Sequence, residues 1–225
     1  MMDKLTLVIP AKNESESLPT VLKELEILKI NTLVVIPVED KTTKESIQNF
    51  DCKIIEEKNG KGYGNALRTG INQVKTDFFC IFNADGSFDP KDLNKMHQIL
   101  DKNNVDFVFC SRYEKNAGSD DDTFLTYVGN KIFTLLCNIF FKLRITDVLY
   151  TYVMGKTEKY KSLNLESNDF TFCVELPIKA KFNNFRLSSL ASYERSRLAG
   201  IKKVNEFKDG FLILISILRL LLYTK

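Results

Sequence analysis

Histidine is scarce and cysteine is scattered in this chain of 225 residues. The sequence has one histidine, His97, and its five cysteines form no Cys-x-x-Cys pair. A Cys/His zinc site and a disulfide framework are therefore excluded. Hydrolase chemistry of the serine or cysteine type needs a histidine beside its nucleophile, and we expect His97 to be a solvated or hydrogen-bonded residue of a surface helix. The N-terminal residues do not resemble a signal peptide, so a reducing, cytosolic location is expected.

Charge is unevenly distributed, although the net charge is only +3. Residues 179–225 contain ten Lys/Arg and three Asp/Glu, a balance of +7, and the remainder has a balance of −4. A basic face of this kind favours an anionic partner such as phospholipid or a phosphorylated substrate. The alternative is a solvated lysine-rich surface. No helix-turn-helix, zinc-finger or RNA-binding signature accompanies the charge, so nucleic acid is not an expected partner.

Strand-like and helix-like segments alternate through the first half of the chain. The predicted strands are Leu5–Ile9, Leu33–Val38, Lys53–Ile55, Asp77–Phe82 and Val105–Cys110. The predicted helices are Glu14–Lys29, Thr42–Phe50, Tyr63–Val74 and Lys91–Leu100. Alternation of this kind predicts an α/β fold with a mainly parallel central sheet flanked by helices.

The second half is less regular. The predictions there are a long apolar helix at Phe124–Phe141, a strand at Val148–Met154, a helix at Phe172–Lys181 interrupted near Pro177, and a strand at Phe185–Tyr193. No Pro/Gly/Ser-rich linker separates the two halves. We therefore expect one domain over residues 1–203, followed by a C-terminal amphipathic helix within residues 204–225.

Polar side chains follow four of the predicted strands. These are Lys12-Asn13-Glu14, Glu39-Asp40-Lys41, the segment from Asn83 to Ser87, and Ser111-Arg112-Tyr113. Ligands of open α/β sheets bind beyond the carboxyl ends of the strands. The topology therefore predicts that these four segments converge on one binding site.

Two of the segments suggest phosphate or metal chemistry. Asp85, after an apolar strand and before Gly86, could ligate Mg²⁺ or Mn²⁺, which prefer oxygen donors; a turn or helix cap is the alternative. The glycines between Asn59 and Gly64, with Lys61 among them, could bind phosphate at a helix N-terminus. Their spacing matches neither GxGxxG nor the phosphate-binding loop of NTPases, so a plain glycine turn is the simpler interpretation.

Several motifs follow one another in a fixed order over most of the chain. They are Ile9–Glu14 with Leu18-Pro19, Gly62–Gly70, Asn83–Pro90, Ser111–Tyr113, Gly129–Lys131, Thr146-Asp147 and Glu194–Lys203. Together they resemble family 2 glycosyltransferases, in the branch of polyprenyl-phosphate sugar synthases such as the dolichyl-phosphate mannose or glucose synthases. The resemblance implies a GT-A fold with a Rossmann-like sheet, a GDP- or UDP-sugar donor, Mg²⁺ or Mn²⁺, and inverting transfer to dolichyl or undecaprenyl phosphate.

The resemblance also implies roles for individual residues. The residues at the nucleotide sugar would be Pro10, Asn13, Glu14, Asp40, Lys61, Asn65, Asn83, Ala84 and Asp85, with Asp85 as metal ligand. Those at the acceptor phosphate would be Arg112, Asn130, Arg195, Arg197 and Lys203, and the catalytic residues would be Asp85, Arg112 and Asp147. The family usually has aspartate in place of Asn83, and an Asp-Asp-Gly/Ser sequence in place of Glu39-Asp40-Lys41.

Other functions remain open at this stage. A transferase acting on a sugar hydroxyl would need a general base, for which Asp147 and Glu175 are the candidates. A non-catalytic nucleotide-sugar binder is a further alternative. A nucleotidyltransferase is disfavoured because the glycine-arginine-lysine loop typical of that class is absent.

The C-terminal segment suggests contact with a membrane. From Phe211 to Tyr223 only Ser216 and Arg219 interrupt the apolar residues. A helix of that length reaches roughly 20 Å, too short for the ~30 Å hydrocarbon core. Preceded by a basic stretch, it predicts a monotopic anchor on the cytoplasmic face of a membrane. Packing on the sheet, or contact with a second copy of the chain in a homo-oligomer, is the alternative.

Overall fold

A computed structural model describes residues 2–58, 62–102, 104–200 and 204–222. In chain order, its strands are β1 Leu5–Pro10, β2 Asn31–Pro37, β3 Lys53–Glu57, β4 Phe78–Ile81, β5 Phe107–Ser111, β6 Gly118–Ser119, β7 Val153–Lys156, β8 Leu187–Ala191 and β9 Tyr193–Glu194. The helices are α1 Leu18–Glu26, α2 Lys41–Ser46, α3 Tyr63–Asn72, α4 Lys91–Lys102, α5 Phe124–Phe141, α6 Thr157–Lys161, α7 Phe172–Phe182 and α8 Glu206–Leu222, and a 3₁₀ turn precedes β1.

Seven strands form the central sheet, in the order β3-β2-β1-β4-β7-β5-β8. Neighbouring strands are parallel except that β7 runs antiparallel to both β4 and β5. The predicted α/β fold with a mainly parallel sheet is therefore confirmed. Because β1, β2, β3 and β4 are mutually parallel, their carboxyl ends meet at one edge, where the predicted site segments lie.

Apolar side chains cover both faces of the sheet. On one face, Phe88 stacks on Tyr152 with ring centroids 4.4 Å apart. The other face buries Cys137 of α5 together with Ile213 and Ile217 of α8 in a single cluster. The C-terminal helix therefore begins before Phe211 and contributes two buried residues to the core.

Several predicted boundaries differ from the structure. The strand predicted at Val148–Met154 begins only at Val153, because the preceding residues form no ladder with a neighbouring strand. Helix α1 begins at Leu18 because Glu14 participates in a turn, in which its carboxylate accepts a hydrogen bond from Ser17 Oγ at 2.7 Å. The prediction of an interruption at Pro177 was wrong, since α7 continues through this residue.

The environment of His97 also differs from the prediction. Its side chain is buried in α4, with its ring 5.1 Å from that of Phe78 in an edge-on contact. Neither ring nitrogen has a hydrogen-bond partner within the described part of the chain. A surface position was expected because the residue lies among polar neighbours, and only the packing of α4 on β4 shows that it faces inward.

Candidate active site

A cavity of about 460 Å³ lies at the carboxyl edge of the sheet. Its walls come from the segments after β1 and β4, from the ends of β2 and β3, and from residues that follow β5 and β9. Of the predicted site residues, those lining it are Pro10, Asn13, Glu14, Asn83, Ala84, Asp85, Arg112 and Arg197. Lys61 and Lys203 lie outside the described residues.

Asp40 shapes the first wall of the cavity without lining it. Its Oδ2 accepts a hydrogen bond from the backbone N–H of Asn13 at 2.6 Å, and Asn13 has a left-handed backbone with φ of 54°. Its Oδ1 accepts from the N–H of Thr43 at 3.1 Å and so caps α2. Asp40 thus holds the loop after β1 in the conformation that turns Lys12 and Glu14 towards the cavity.

Asp85 is oriented by the residue two positions further on. Its Oδ1 accepts hydrogen bonds from Ser87 N at 3.0 Å and Ser87 Oγ at 2.7 Å, and its Oδ2 lies 3.8 Å from Arg197 Nη1. Asn83 Nδ2 donates to Ser87 Oγ at 3.3 Å, which ties both residues to one turn. Within the described ranges, no group of three or more His, Cys, Asp or Glu residues could hold a metal ion. A cation at Asp85 would therefore need ligands from a substrate.

Arg112 is buried among three carboxylates, which with it form the Arg112 cluster. Its Nε and Nη2 donate to the two oxygens of Asp147 at 2.8 and 3.1 Å, and its Nη1 donates to Asp122 at 3.3 Å and Glu194 at 3.2 Å. Burial alone would lower the pKa of Arg112, but Asp147 and Glu194 raise it well above its usual value. Burial raises the pKa of Glu194 despite the neighbouring guanidinium. The cluster carries more negative than positive charge.

Asn130 connects α5 to the Arg112 cluster. Its Nδ2 donates to the hydroxyl of Tyr113 at 2.7 Å, and that hydroxyl donates to Asp122 at 2.6 Å. Asn130 is buried, whereas the residues on either side of it along α5 are more exposed. The helix therefore contributes a polar side chain to the network around the cavity.

The other two arginines predicted to bind phosphate, Arg195 and Arg197, have different surroundings. Arg195 donates to both carboxylate oxygens of Glu24, at 2.9 and 3.0 Å, and to the carbonyls of Gly86 and Phe88. It fixes the loop after β4 and does not line the cavity. Arg197 does line it, and donates to Asp121 at 3.2 and 2.8 Å while lying close to Asp85.

Asn65 contacts a carboxylate that sequence reasoning missed. Its Nδ2 donates to Glu57, which is 5% exposed and lines the cavity at the end of β3. Its backbone N–H, which is one of the free amides in the first turn of α3, donates to the carbonyl of Asn168 at 3.0 Å. This amide is therefore already paired within the protein. Glu57 was overlooked because the strand was predicted to end at Ile55, and Glu194 because it was considered only as part of a basic motif.

Asp85, Arg112 and Arg197, grouped around a cavity at the strand ends of a mainly parallel sheet, define an α/β protein suited to a phosphorylated ligand. Residues 6–163 match the profile of glycosyl transferase family 2. The match covers well over half of the chain, so the chain belongs to this family and is a glycosyltransferase that uses a nucleotide-sugar.

Known proteins resemble the chain over most of its length. It is 23% identical over 213 residues to the low-salt glycan biosynthesis hexosyltransferase Agl6 of Haloferax volcanii, covering 92% of this chain and 51% of that protein. It is 27% identical to an uncharacterized glycosyltransferase of Mycobacterium bovis, covering 95% of each. The chain thus spans about half of one relative and nearly all of the other.

Among solved structures, glucosyl-3-phosphoglycerate synthase from Mycobacterium tuberculosis, in complex with Mn²⁺, UDP and glucosyl-3-phosphoglycerate, superposes with a TM-score of 0.74. The sequences are 13% identical, and the match covers 96% of this chain and 79% of that one. At this identity the likeness concerns the fold alone, and it confirms the GT-A architecture.

Proposed function

We propose that this glycosyltransferase moves a sugar from a GDP- or UDP-sugar, with inversion, to a polyprenyl phosphate at the cytoplasmic face of a membrane. The observation that carries the proposal is the dual character of α5. One side chain of this helix, Asn130, joins the network around the cavity, while other side chains expose an apolar surface. A lipid phosphate has the same two parts, a charged head for the cavity and an apolar tail for the helix.

A divalent cation fits the residues at the end of β4. The carboxylate of Asp85 and the amide oxygen of Asn83 are hard oxygen donors, and Mg²⁺ or Mn²⁺ commonly takes its remaining ligands from phosphates and water. A bound cation would supply positive charge to the leaving diphosphate. The Mn²⁺ and UDP bound in the mycobacterial synthase support the same assignment.

The apolar surface, here called the two-helix face, is formed by α5 and α8. Its exposed residues are Ile132, Leu135, Ile139 and Phe140 of α5 and Phe211, Leu214, Ile215, Leu218 and Leu222 of α8. The two helices pack together where Gly210 approaches the ring of Phe133. By length and composition α5 could cross a membrane. Only 17% of its most apolar window is buried in the protein, so most of that window is not covered by the core. An apolar face of this kind, on helices that also pack on the core, suits a position in the membrane surface.

Basic residues at the end of α5 are compatible with anionic headgroups. Lys142 and Arg144 are exposed directly after the helix, and each could contribute about 1 kcal/mol near an anionic surface. Arg195 and Arg197, which belong to the basic stretch before the C-terminal segment, are instead paired with Glu24 and Asp121. In this proposal α8, which lies within the predicted segment 204–225, is a surface helix attached to a catalytic domain of residues 1–203.

In the reaction, a phosphate oxygen of the acceptor attacks the anomeric carbon while the bond from that carbon to the diphosphate breaks. A phosphate monoester is already ionised near neutral pH, so it needs positioning more than a general base. Arg197 lies beside Asp85 and can neutralise phosphate charge there. Arg112 can bind the acceptor phosphate when its Nη1 leaves Asp122 and Glu194, because a guanidinium binds phosphate and carboxylate in the same way.

The test is transfer of labelled sugar from GDP- and UDP-sugars to undecaprenyl or dolichyl phosphate in detergent, with Mn²⁺ and with EDTA. We expect labelled lipid product that disappears with EDTA and with the Asp85→Asn variant. The matched control is Asp77→Asn, because Asp77 is an exposed aspartate just before β4. This variant should leave transfer unchanged. Lipid product formed equally by Asp85→Asn would contradict the proposal.

Binding to the membrane is tested separately. Leu135→Glu combined with Leu218→Glu places two charges on the two-helix face, and should release the protein from liposomes containing anionic lipid. The control, Asn94→Glu with Gln98→Glu, adds the same charge to exposed positions of α4 and should leave binding intact. If the first pair instead converts a dimer into monomers in solution without liposomes, the face is an oligomer contact and the membrane proposal fails.

Glu194 favours a second candidate function, transfer to a sugar hydroxyl. Such an acceptor needs a general base. Asp147 has both oxygens on Arg112, and Glu175 accepts hydrogen bonds from the N–H groups of Glu166 and Ser167 outside the cavity. Glu194 lines the cavity, and its raised pKa suits proton transfer. Transfer to a hydroxyl acceptor that is lost in Glu194→Gln would favour this candidate over the lipid phosphate.

A further inference from the structure

Residues 166–170 form a loop, here called the 166–170 loop, that packs against the first turn of α3. The carbonyl of Asn168 in this loop accepts a hydrogen bond from the backbone N–H of Asn65 at 3.0 Å. The approach is close, because a Cβ atom at Gly64 would lie 2.6 Å from the carbonyl oxygen of Asp169. The backbone carbonyls on this side of the loop therefore face α3, and the absence of a side chain at position 64 allows the contact.

Glu175 of α7 binds the same loop through the backbone N–H groups of the loop. Its carboxylate accepts hydrogen bonds from the N–H of Glu166 at 2.9 Å and from the N–H of Ser167 at 2.8 Å. The Nζ atom of Lys179, one turn further along the helix, lies 2.7 Å from the carboxylate. Burial alone would raise the pKa of Glu175, but the hydrogen bonds from Lys179 and from the loop lower it below its usual value. Glu175 is therefore an ionised acceptor, only 4% exposed, that ties the loop to α7.

The last residue of the loop, Phe170, reaches the cavity. Its ring stacks on that of Tyr63, with centroids 5.0 Å apart, and both rings line the cavity. The hydroxyl of Tyr63 forms a hydrogen bond with Thr151 Oγ1 at 2.7 Å and lies 3.5 Å from the amide oxygen of Asn83. Phe170 and Tyr63, here called the aromatic wall, therefore stand beside the turn that also holds Asp85.

We infer that Glu175 is a positioning residue for glycosyl transfer, because it fixes the 166–170 loop and, through the loop, the aromatic wall. Glu175 is not among the described residues that line the cavity, so it acts through Phe170. On the proposed function, which places the diphosphate at Asp85, the wall borders the bond between the sugar and the diphosphate. Misplacement of a positioning group by about 1 Å can lower the rate of a reaction roughly a hundred-fold. Release of the loop should therefore slow transfer more than it weakens the binding of a nucleotide.

A fluorescent reporter tests the first step, which is the attachment of the loop to Glu175. The sequence contains no tryptophan, so Phe170→Trp gives the full chain a single indole in the loop. Addition of Glu175→Gln to this variant should shift the emission to longer wavelength and increase its quenching by acrylamide, because the indole becomes more exposed to water. The control is Glu158→Gln in the same background, since Glu158 is an exposed glutamate of α6 that pairs with Lys161. This control should leave the emission unchanged.

Kinetics and binding test the second step, which is the effect on transfer. With the donor and acceptor that give product, Glu175→Gln should lower kcat by about ten- to a hundred-fold. The affinities for GDP and UDP, measured by calorimetry with Mg²⁺, should change by less than about threefold. If Glu175→Gln does not fold, as its melting temperature would show, Glu175→Asp takes its place. This variant keeps the charge but is shorter by one methylene group, and it should give the same shift of emission and the same loss of kcat.

Three results would overturn the inference. They are an unchanged emission when Glu175→Gln is added to Phe170→Trp, an equal shift with Glu158→Gln, and a loss of nucleotide affinity as large as the loss of kcat. The last result would show that the substitution disturbs the whole site and that Glu175 has only a structural role.

The reporter also separates this inference from the proposed function, because it needs no substrate. Transfer to polyprenyl phosphate without a shift of emission refutes the role of Glu175 and leaves the acceptor proposal standing. A shift of emission without transfer to polyprenyl phosphate supports the attachment of the loop to Glu175 and refutes that acceptor.

Discussion

Removal of the Arg112 side chain should strongly destabilise the protein, because this side chain is the shared cation of three carboxylates. Arg112 is 8% exposed and balances Asp122, Asp147 and Glu194, of which Asp147 is fully buried. Arg112→Met keeps most of the volume but leaves three carboxylates without their shared cation. Breaking a buried ion pair by removal of one partner typically costs about 3–5 kcal/mol. That loss is a large part of a total stability of about 5–15 kcal/mol.

Thermal and urea unfolding measure this effect directly. In a domain of this size, 1 kcal/mol shifts the melting temperature by about 2–4 °C, so we expect a decrease of about 6–20 °C. The loss should shrink at lower pH, where the carboxylate of Glu194, whose pKa is raised by burial, becomes protonated. Arg186→Met is the matched control, because Arg186 is largely exposed and lies 3.9 Å from Asp106; we expect a change within about 0.5 kcal/mol. A loss below about 1 kcal/mol in Arg112→Met at neutral pH would refute the reasoning.

Three further predictions concern stability and are read out by urea unfolding. Gly70→Ala should lower the free energy of unfolding by about 1–3 kcal/mol, because its Cβ would lie 2.5 Å from a valine methyl of β1. Gly129→Ala, which has open space around it in α5, should raise the free energy of unfolding by about 0.5–1 kcal/mol. Equal effects of the two substitutions would contradict the packing argument. His97→Leu should raise the free energy of unfolding by about 1 kcal/mol, because neither ring nitrogen has a hydrogen-bond partner among the described residues. Gln98→Leu, on the exposed side of α4, is the control and should give no such increase. A decrease in stability in His97→Leu would contradict the prediction, since it would show that the ring has a partner. Glu194→Gln should stabilise the protein at pH 7.5. The raised pKa of Glu194 means that folding favours its protonated form. The stability that Glu194 contributes is therefore present below its usual pKa of 4.5 and is lost as the pH rises through its pKa in the folded protein. The difference between variant and unaltered protein should disappear towards pH 4.5, and a difference independent of pH would contradict this assignment.

The sequence was sufficient for the fold because its local signals agree with the tertiary arrangement. Buried parallel strands such as β1 and β2 appear as continuous apolar runs, and the helix predicted at Phe124–Phe141 has the same bounds in the structure. Boundaries failed where side chains compete with the backbone for hydrogen bonds, as at Glu14, or where no neighbouring strand was identifiable, as before Val153.

The candidate site was predictable only in part. Residues that directly follow a strand, such as Asp85 and Arg112, were identified because strand ends of a parallel sheet converge. The sequence does not show that Arg112 is held by three carboxylates, since Asp122, Asp147 and Glu194 lie 10, 35 and 82 residues away along the chain. Such pairings depend on how distant segments pack.

The sequence by itself determined the α/β class, the glycosyltransferase family and the strand-end location of the site, because periodicity and short motifs are local properties of the chain. Only the tertiary structure decided which charged groups are paired, that Glu57 and Glu194 face the cavity, and that α8 joins α5 in an apolar face. The reason is that burial and charge pairing are properties of contacts between segments distant in sequence, and residue order does not record those contacts.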